Sequence, residues 1–135
     1  MKIIFFGTPD FAIPSLQALN ESSNDIVAVV TTPDKKSGRG LKIKKSPIKK
    51  IAESISCKIL QPTSLNDENF LLTLKNLVPD IFIVVAFKKL PNDIISIPKH
   101  GAINLHASLL PKYRGAAPIY HALLNNEKET GLTTF

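Results

Sequence analysis

Three short runs in this chain are apolar at consecutive positions. In Lys2–Phe6 (KIIFF) the apolar run is Ile3–Phe6, Ile26–Val30 reads IVAVV and Ile81–Ala86 reads IFIVVA. An extended chain alternates its side chains between two faces, so a run apolar at every position is covered on both sides. Between the runs, apolar residues return at helical spacing. They do so at Phe11, Ala12, Leu16 and Leu19, at Ile48, Ile51, Ala52 and Ile55, and at Phe70, Leu71, Leu74 and Leu77, with Pro118–Leu124 as a further helix. Pro14 suits a helical first turn, and Ser64 or Asn66 is expected to cap the Phe70 helix. Short strands are expected at Lys58–Leu60, at Ala102–His106 and from Gly131 to Phe135, with a turn of helix near Asn92–Ile97. Strands that alternate with helices and are apolar throughout require a parallel sheet with both faces covered. The expected fold class is therefore α/β: a Rossmann-like, open, mainly parallel sheet with helices on both faces, in one domain over 1–135 that is truncated and incomplete at the carboxyl end.

In such sheets ligands bind beyond the carboxyl ends of the strands. Those ends are Gly7–Asp10, Thr31–Asp34, Phe87–Leu90 and the segment from Asn104 onward. The first turn, Gly7-Thr8-Pro9-Asp10-Phe11, is not G-x-G-x-x-G, and Asp10 would repel a pyrophosphate at the start of the helix. This argues against a dinucleotide, and no Walker motif is present.

Charge is concentrated in one place. The chain has 17 Lys and Arg against 11 Asp and Glu, a net +6. Residues 34–50 alone carry +7, from Lys35, Lys36, Arg39, Lys42, Lys44, Lys45, Lys49 and Lys50 against Asp34. The rest of the chain is close to neutral. With Ser37, Gly38 and Gly40 and few apolar residues, 34–46 reads as a basic loop insertion. Its composition suits phosphate contacts or, equally, a solvated surface. The single Cys57 forms no internal disulfide, which fits a reducing cytoplasm, and reads as a small apolar residue. The longest apolar run, Ile81–Phe87, is far short of a membrane span, and Met1–Phe6 lacks the length of a signal peptide. No cluster of residues suggests a metal site.

Asn104-Leu105-His106 closes the strand that begins at Ala102. Alternation puts Asn104 and His106 on one face. A carboxamide N–H can stabilise an oxyanion and an imidazole can move a proton, a pair suited to acyl transfer. N-x-H by itself is also what a polar strand end with a solvated histidine looks like. His100 and His121 read as surface or helix residues.

The string that follows is more specific. Asn104-Leu105-His106-Ala107-Ser108-Leu109-Leu110-Pro111, with Tyr113-Arg114-Gly115, resembles the signature of the formyltetrahydrofolate-dependent formyltransferase superfamily. Gly7-Thr8-Pro9-Asp10-Phe11, Gly38-Arg39-Gly40 and Gly115-Ala116-Ala117-Pro118 narrow the resemblance to the methionyl-tRNA formyltransferase family. It covers essentially the whole chain.

The resemblance implies formyl transfer from 10-formyltetrahydrofolate, the donor substrate, to the α-amino group of initiator methionyl-tRNA, with no metal. It makes Asn104 and His106 two of three catalytic residues. It gives Ser108, Leu109, Leu110 and Pro111 to the folate site, with Val85–Leu90 as a second pterin wall. Phe11 and Phe70 read as core residues, with Phe11 close enough to the site to touch the methionyl side chain. It makes Arg39, with Lys35, Lys36, Lys42, Lys44 and Lys45, a contact for tRNA rather than a general nucleic-acid or DNA surface. Lys49 and Lys50 fall on the next helix as ordinary surface residues, and neither a membrane nor an oligomer is implied. The third catalytic residue, an Asp, and a carboxyl-terminal tRNA-binding domain are implied to lie beyond Phe135. The 135 residues are therefore expected to transfer little formyl group alone. Related donor-dependent formyltransferases or hydrolases, and a non-catalytic folate- or RNA-binding remnant, are the alternatives.

Overall fold

The computed structural model describes residues 1–37 and 42–135. The main sheet has six strands: β1 (Lys2–Gly7), β2 (Asp25–Val30), β5 (Ile59–Leu60), β6 (Ile81–Val85), β7 (Ala102–His106) and β8 (Thr133–Thr134). Their spatial order is β5-β2-β1-β6-β7-β8. All neighbours run parallel except β8, which is antiparallel to β7. The apolar runs of the sequence are thus the three adjacent central strands, and the expected Rossmann-like architecture is what forms. The order reverses between β1 and β6, which creates the crevice where such sheets bind ligands.

Alternation divides the core between the two faces. Ile4, Phe6, Ala28, Val30, Phe82 and Val84 point one way and pack with Phe70 and Leu74 of α3 (Glu68–Asn76) and Ile94 of α4 (Asn92–Ile95). Phe5, Val29 and Val85 point the other way, onto Leu16 of α1 (Ile13–Asn20) and Ile48 and Ala52 of α2 (Pro47–Ser54). Each fully buried Phe, Leu or Ile of this kind contributes about 1.5–3 kcal/mol relative to exposure. The register sets Phe6 level with Val84, and Val84 level with Asn104. The helical faces therefore hold the strand that carries Asn104 at a defined height in the sheet.

Helix starts follow local chemistry. Pro47 opens α2 behind Ser46, whose hydroxyl accepts from the Lys49 N–H at 3.0 Å. For α3 the expected caps are corrected: Asp67 is the cap, its carboxylate accepting from the Phe70 N–H at 2.8 Å. Ser64 instead accepts from the Asn66 N–H in the preceding turn. A carboxylate three residues before Phe70 is also favoured by the positive end of the helix dipole.

The basic insertion is a second correction. Lys35–Ser37 and Lys42–Lys44 are not loop but two strands, β3 and β4, paired antiparallel. Their side chains show no apolar alternation, the usual sign of a strand. Backbone pairing alone forms the ribbon, and it leaves Ile43 exposed. Gly38, Arg39, Gly40 and Leu41 lie outside the described residues.

Candidate active site

A cavity of about 1140 Å³ opens at the carboxyl ends of β1, β6 and β7. Pro9 and Phe11 reach it from the turn after β1. Ala86, Phe87, Lys88, Lys89 and Leu90 follow β6 into its wall. The Phe87 ring stands edge-on to Phe6 at 5.5 Å, which ties that wall to the core. Val85, expected in the same wall, is instead fully buried on the α1 and α2 face. Arg114–Ile119 and Phe135 complete the far side.

Ala102, Asn104 and His106 lie on the face of β7 that Val84 shares on β6, as alternation requires, and all four line the cavity. The main chain of Asn104 is committed to the sheet: its N–H donates to the Phe135 carbonyl at 2.7 Å, and its carbonyl accepts from the Phe135 N–H at 3.1 Å. Its carboxamide has no hydrogen-bond partner among the described residues, so a donor remains for whatever enters. The His106 Nε2 lies 2.9 Å from the Tyr113 carbonyl oxygen. A carbonyl only accepts, so Nε2 carries the hydrogen, and the lone pair of the neutral ring is on Nδ1.

The segment after β7 is braced from within. The Ser108 hydroxyl, fully buried, donates to the Lys112 carbonyl at 2.7 Å. Thr133 Oγ1 donates to the Ser108 carbonyl at 2.7 Å and accepts from the Leu110 N–H at 3.2 Å. The Tyr113 hydroxyl donates to Glu127 at 2.7 Å, and Lys112 pairs with the same carboxylate at 3.3 Å. Of the four residues given to the folate site, Leu110 lines the cavity. Ser108 faces inward as a brace, Leu109 lies against Gly131, and Pro111 is exposed.

The basic ribbon leaves the same edge of the sheet, after β2. Lys35, Lys36, Lys44 and Lys45 are exposed, and Lys35 stands directly opposite Lys44. Lys42 faces Ser37 in the backbone register, and Arg39 lies outside the described residues. Lys45 pairs with Glu53 at 2.9 Å. Like charges opposite one another destabilise a ribbon, and among the described residues no acid separates Lys35 from Lys44.

The formyl transferase family matches residues 1–135. This chain belongs to the formyl transferase family. The chain is 54% identical to the methionyl-tRNA formyltransferase of Caldanaerobacter subterraneus subsp. tengcongensis over 99% of its length. It is 57% identical to that of Thermodesulfovibrio yellowstonii over 98%. It spans 44% and 43% of the length of these two curated relatives. Among solved structures, phosphoribosylglycinamide formyltransferase from Streptococcus pneumoniae shares the fold at a TM-score of 0.75 and 16% identity, covering 98% of this chain and 71% of that one. The formyltetrahydrofolate deformylase of Pseudomonas syringae pv. tomato does so at 0.67 and 20%, covering 98% and 44%.

The cavity of this formyl transferase chain takes in residues of the quoted motifs and others outside them. Among the described residues, Lys88, Lys89 and Arg114 put three positive side chains around the cavity, and no Asp or Glu lines it. Asn92, Ile95 and Phe135 also line it, and these escape a reading by motif. Lys88 and Lys89 fall in the expected Val85–Leu90 wall and Arg114 in the quoted motif, whereas Asn92, Ile95 and Phe135 arrive through folding. No group of His, Cys, Asp and Glu among the described residues could hold a metal ion, and no helix of the described residues is long and apolar enough to cross a membrane. Burial raises the Cys57 thiol above its ordinary range, and its Sγ donates to the Ile26 carbonyl.

Proposed function

We propose that this chain is the amino-terminal, donor-binding part of a cytoplasmic enzyme of translation initiation. That enzyme moves a formyl group from 10-formyltetrahydrofolate to the α-amino group of initiator methionyl-tRNA. The observation that carries the reading is the 54% identity, over 99% of the chain, to a relative named methionyl-tRNA formyltransferase. The Asn104 carboxamide, without a hydrogen-bond partner among the described residues, and the His106 ring in one cavity support it. So does the cationic lining, which suits a folate bearing carboxylates. The opposed Lys35 and Lys44 suit an RNA backbone as the charge that relieves them. Arg39 belongs to the same tRNA contact in this reading. Ser108 and Thr133 then set the backbone of the folate wall, with Leu110 against the donor.

The reaction begins when the methionyl amine attacks the formyl carbon. A nitrogen–carbon bond forms and negative charge develops on the formyl oxygen. Asn104 donates a hydrogen bond to that oxygen, an interaction whose loss typically costs about 10²–10³ in rate. His106, with Nε2–H held by Tyr113, takes the amine proton at Nδ1, which typically contributes roughly 10²–10⁴. Collapse breaks the bond between the formyl carbon and N10 of the folate, and the proton passes to N10. The chain spans 44% and 43% of two curated relatives, and in this reading the third group, an aspartate that orients His106, and the tRNA-binding domain fall to the remainder of the full-length protein.

In the full-length protein, Asn104→Ala and His106→Ala each lower turnover at least about 10²-fold while donor binding survives. Near-normal turnover in both variants overturns the assignment. The 135 residues alone turn over little, and a rate comparable to the full-length protein overturns that part of the reading.

A further inference from the structure

The basic segment contains one acid, Asp34, and it stands at the root where the ribbon leaves β2. One carboxylate oxygen accepts from Lys49 Nζ of α2, and the other accepts from Gln61 Nε2 at 2.9 Å. Gln61 Nε2 also donates to the Thr32 carbonyl at 2.8 Å. The second root is tied to the first by the Thr31 and Ser46 hydroxyls, 2.8 Å apart. Thr31 is fully buried. The side chains of Lys49 and Asp34 are only 14% and 24% exposed, unlike the Lys45–Glu53 pair at 44% and 40%. Exposed pairs contribute little, because water screens them and two long side chains must be ordered. The Asp34 pair is better shielded, and a third partner fixes its geometry.

We propose that Asp34 is a positioning residue for the tRNA substrate: by gripping Lys49 and Gln61 it sets the direction in which the ribbon of Lys35 and Lys44 leaves the sheet. The ribbon then meets the RNA backbone in one register relative to the cavity. This rests on the tRNA reading above and adds a residue to it. The alternative is an ion pair that only adjusts local charge, and the two make opposite forecasts. Removing Asp34 raises the charge of residues 34–50 from +7 to +8. If charge alone mattered, RNA binding would tighten through greater counterion release. If direction matters, binding weakens despite the added charge.

The test uses full-length protein with initiator methionyl-tRNA and 10-formyltetrahydrofolate. For Asp34→Asn, KM for the tRNA rises about tenfold, and the salt dependence of tRNA binding becomes shallower by about one phosphate contact. Its KM for the donor and its kcat at saturating tRNA stay within about twofold, which a general loss of structure would not leave intact. The reversed pair, Asp34→Lys with Lys49→Asp, restores net charge and partnership, and recovers most of the tRNA KM. Unchanged or tighter tRNA use by Asp34→Asn overturns the proposal. Equal losses for tRNA and donor overturn it as well, as does failure of the reversed pair to recover. A wild-type protein that does not formylate methionyl-tRNA overturns the underlying functional reading instead, so the two failures are separate.

Discussion

The His106 ring is held at Nε2 by the main-chain carbonyl of Tyr113, 2.9 Å away, and the Tyr113 hydroxyl is held in turn by Glu127 at 2.7 Å. A side chain at the end of a strand is thereby oriented by a turn seven residues later, and that turn is pinned by a carboxylate just beyond α5 (Pro118–Leu124). Tyr113 has φ of +54°, a left-handed conformation that costs a non-glycine residue energy and persists only when its surroundings enforce it.

Glu127 does not itself line the cavity, so Glu127→Ala should act through this turn, which carries Arg114 and Gly115 of the cavity wall. The expected result in the full-length protein is a fall in kcat of about tenfold, since small displacements of a catalytic group are costly. Amide hydrogen exchange at Lys112, whose N–H donates to the Leu109 carbonyl at 3.1 Å, should quicken in the same variant. Unaltered exchange there would show that Glu127 does not hold the turn.

Acid should loosen the protein at three identified places. The Tyr113 hydroxyl and then Lys112 hold the Glu127 carboxyl below its ordinary 4.5. The Lys2 N–H, donating at 2.7 Å, holds Asp80 below 3.8. Lys49 and then Gln61 do the same for Asp34. Each group titrates lower folded than unfolded, so its contribution is complete above the ordinary carboxyl range and is lost as pH falls through the depressed folded values. The midpoint of thermal unfolding should be nearly flat above about pH 5 and should decline below about pH 4. Asp80→Asn should flatten part of that decline. An identical pH profile in the variant would remove Asp80 from the account.

Gly7→Ala should destabilise the sheet at its crevice. A Cβ built on Gly7 would lie 2.7 Å from the ring of Phe5 and 3.2 Å from the Val85 carbonyl oxygen. Phe5 is fully buried and the carbonyl belongs to the neighbouring strand, so neither yields cheaply. The expected cost is about 1–3 kcal/mol, in the range of overpacked cores, measured by denaturant unfolding. A change below about 0.5 kcal/mol would mean that the turn after β1 shifts freely.

Much of the fold was legible because burial on both faces leaves a strong trace. The KIIFF, IVAVV and IFIVVA runs became the central strands, and the bounds of Ala102–His106 and Pro118–Leu124 match. The ribbon was not legible. Lys35–Ser37 and Lys42–Lys44 have no buried face to impose a period, so backbone pairing left no pattern in the side chains. The cap at Asp67 was obscured because Ser64 and Asn66, both good caps, precede it.

At the site, alternation alone put Asn104 and His106 on one face, and the motifs around them led to the formyl transferase family. These are local properties: side-chain period, residue type and order along the chain. Tertiary structure decided the rest. It turned Ser108 into a buried brace, sent Val85 to the opposite core, and brought Lys88, Lys89 and Arg114 around one cavity. It also joined Asp34 to Gln61 and His106 to Tyr113. The reason is physical. Periodicity records which face of an element is buried, but the partner a polar group finds across a turn depends on how separate elements pack, which no local pattern encodes.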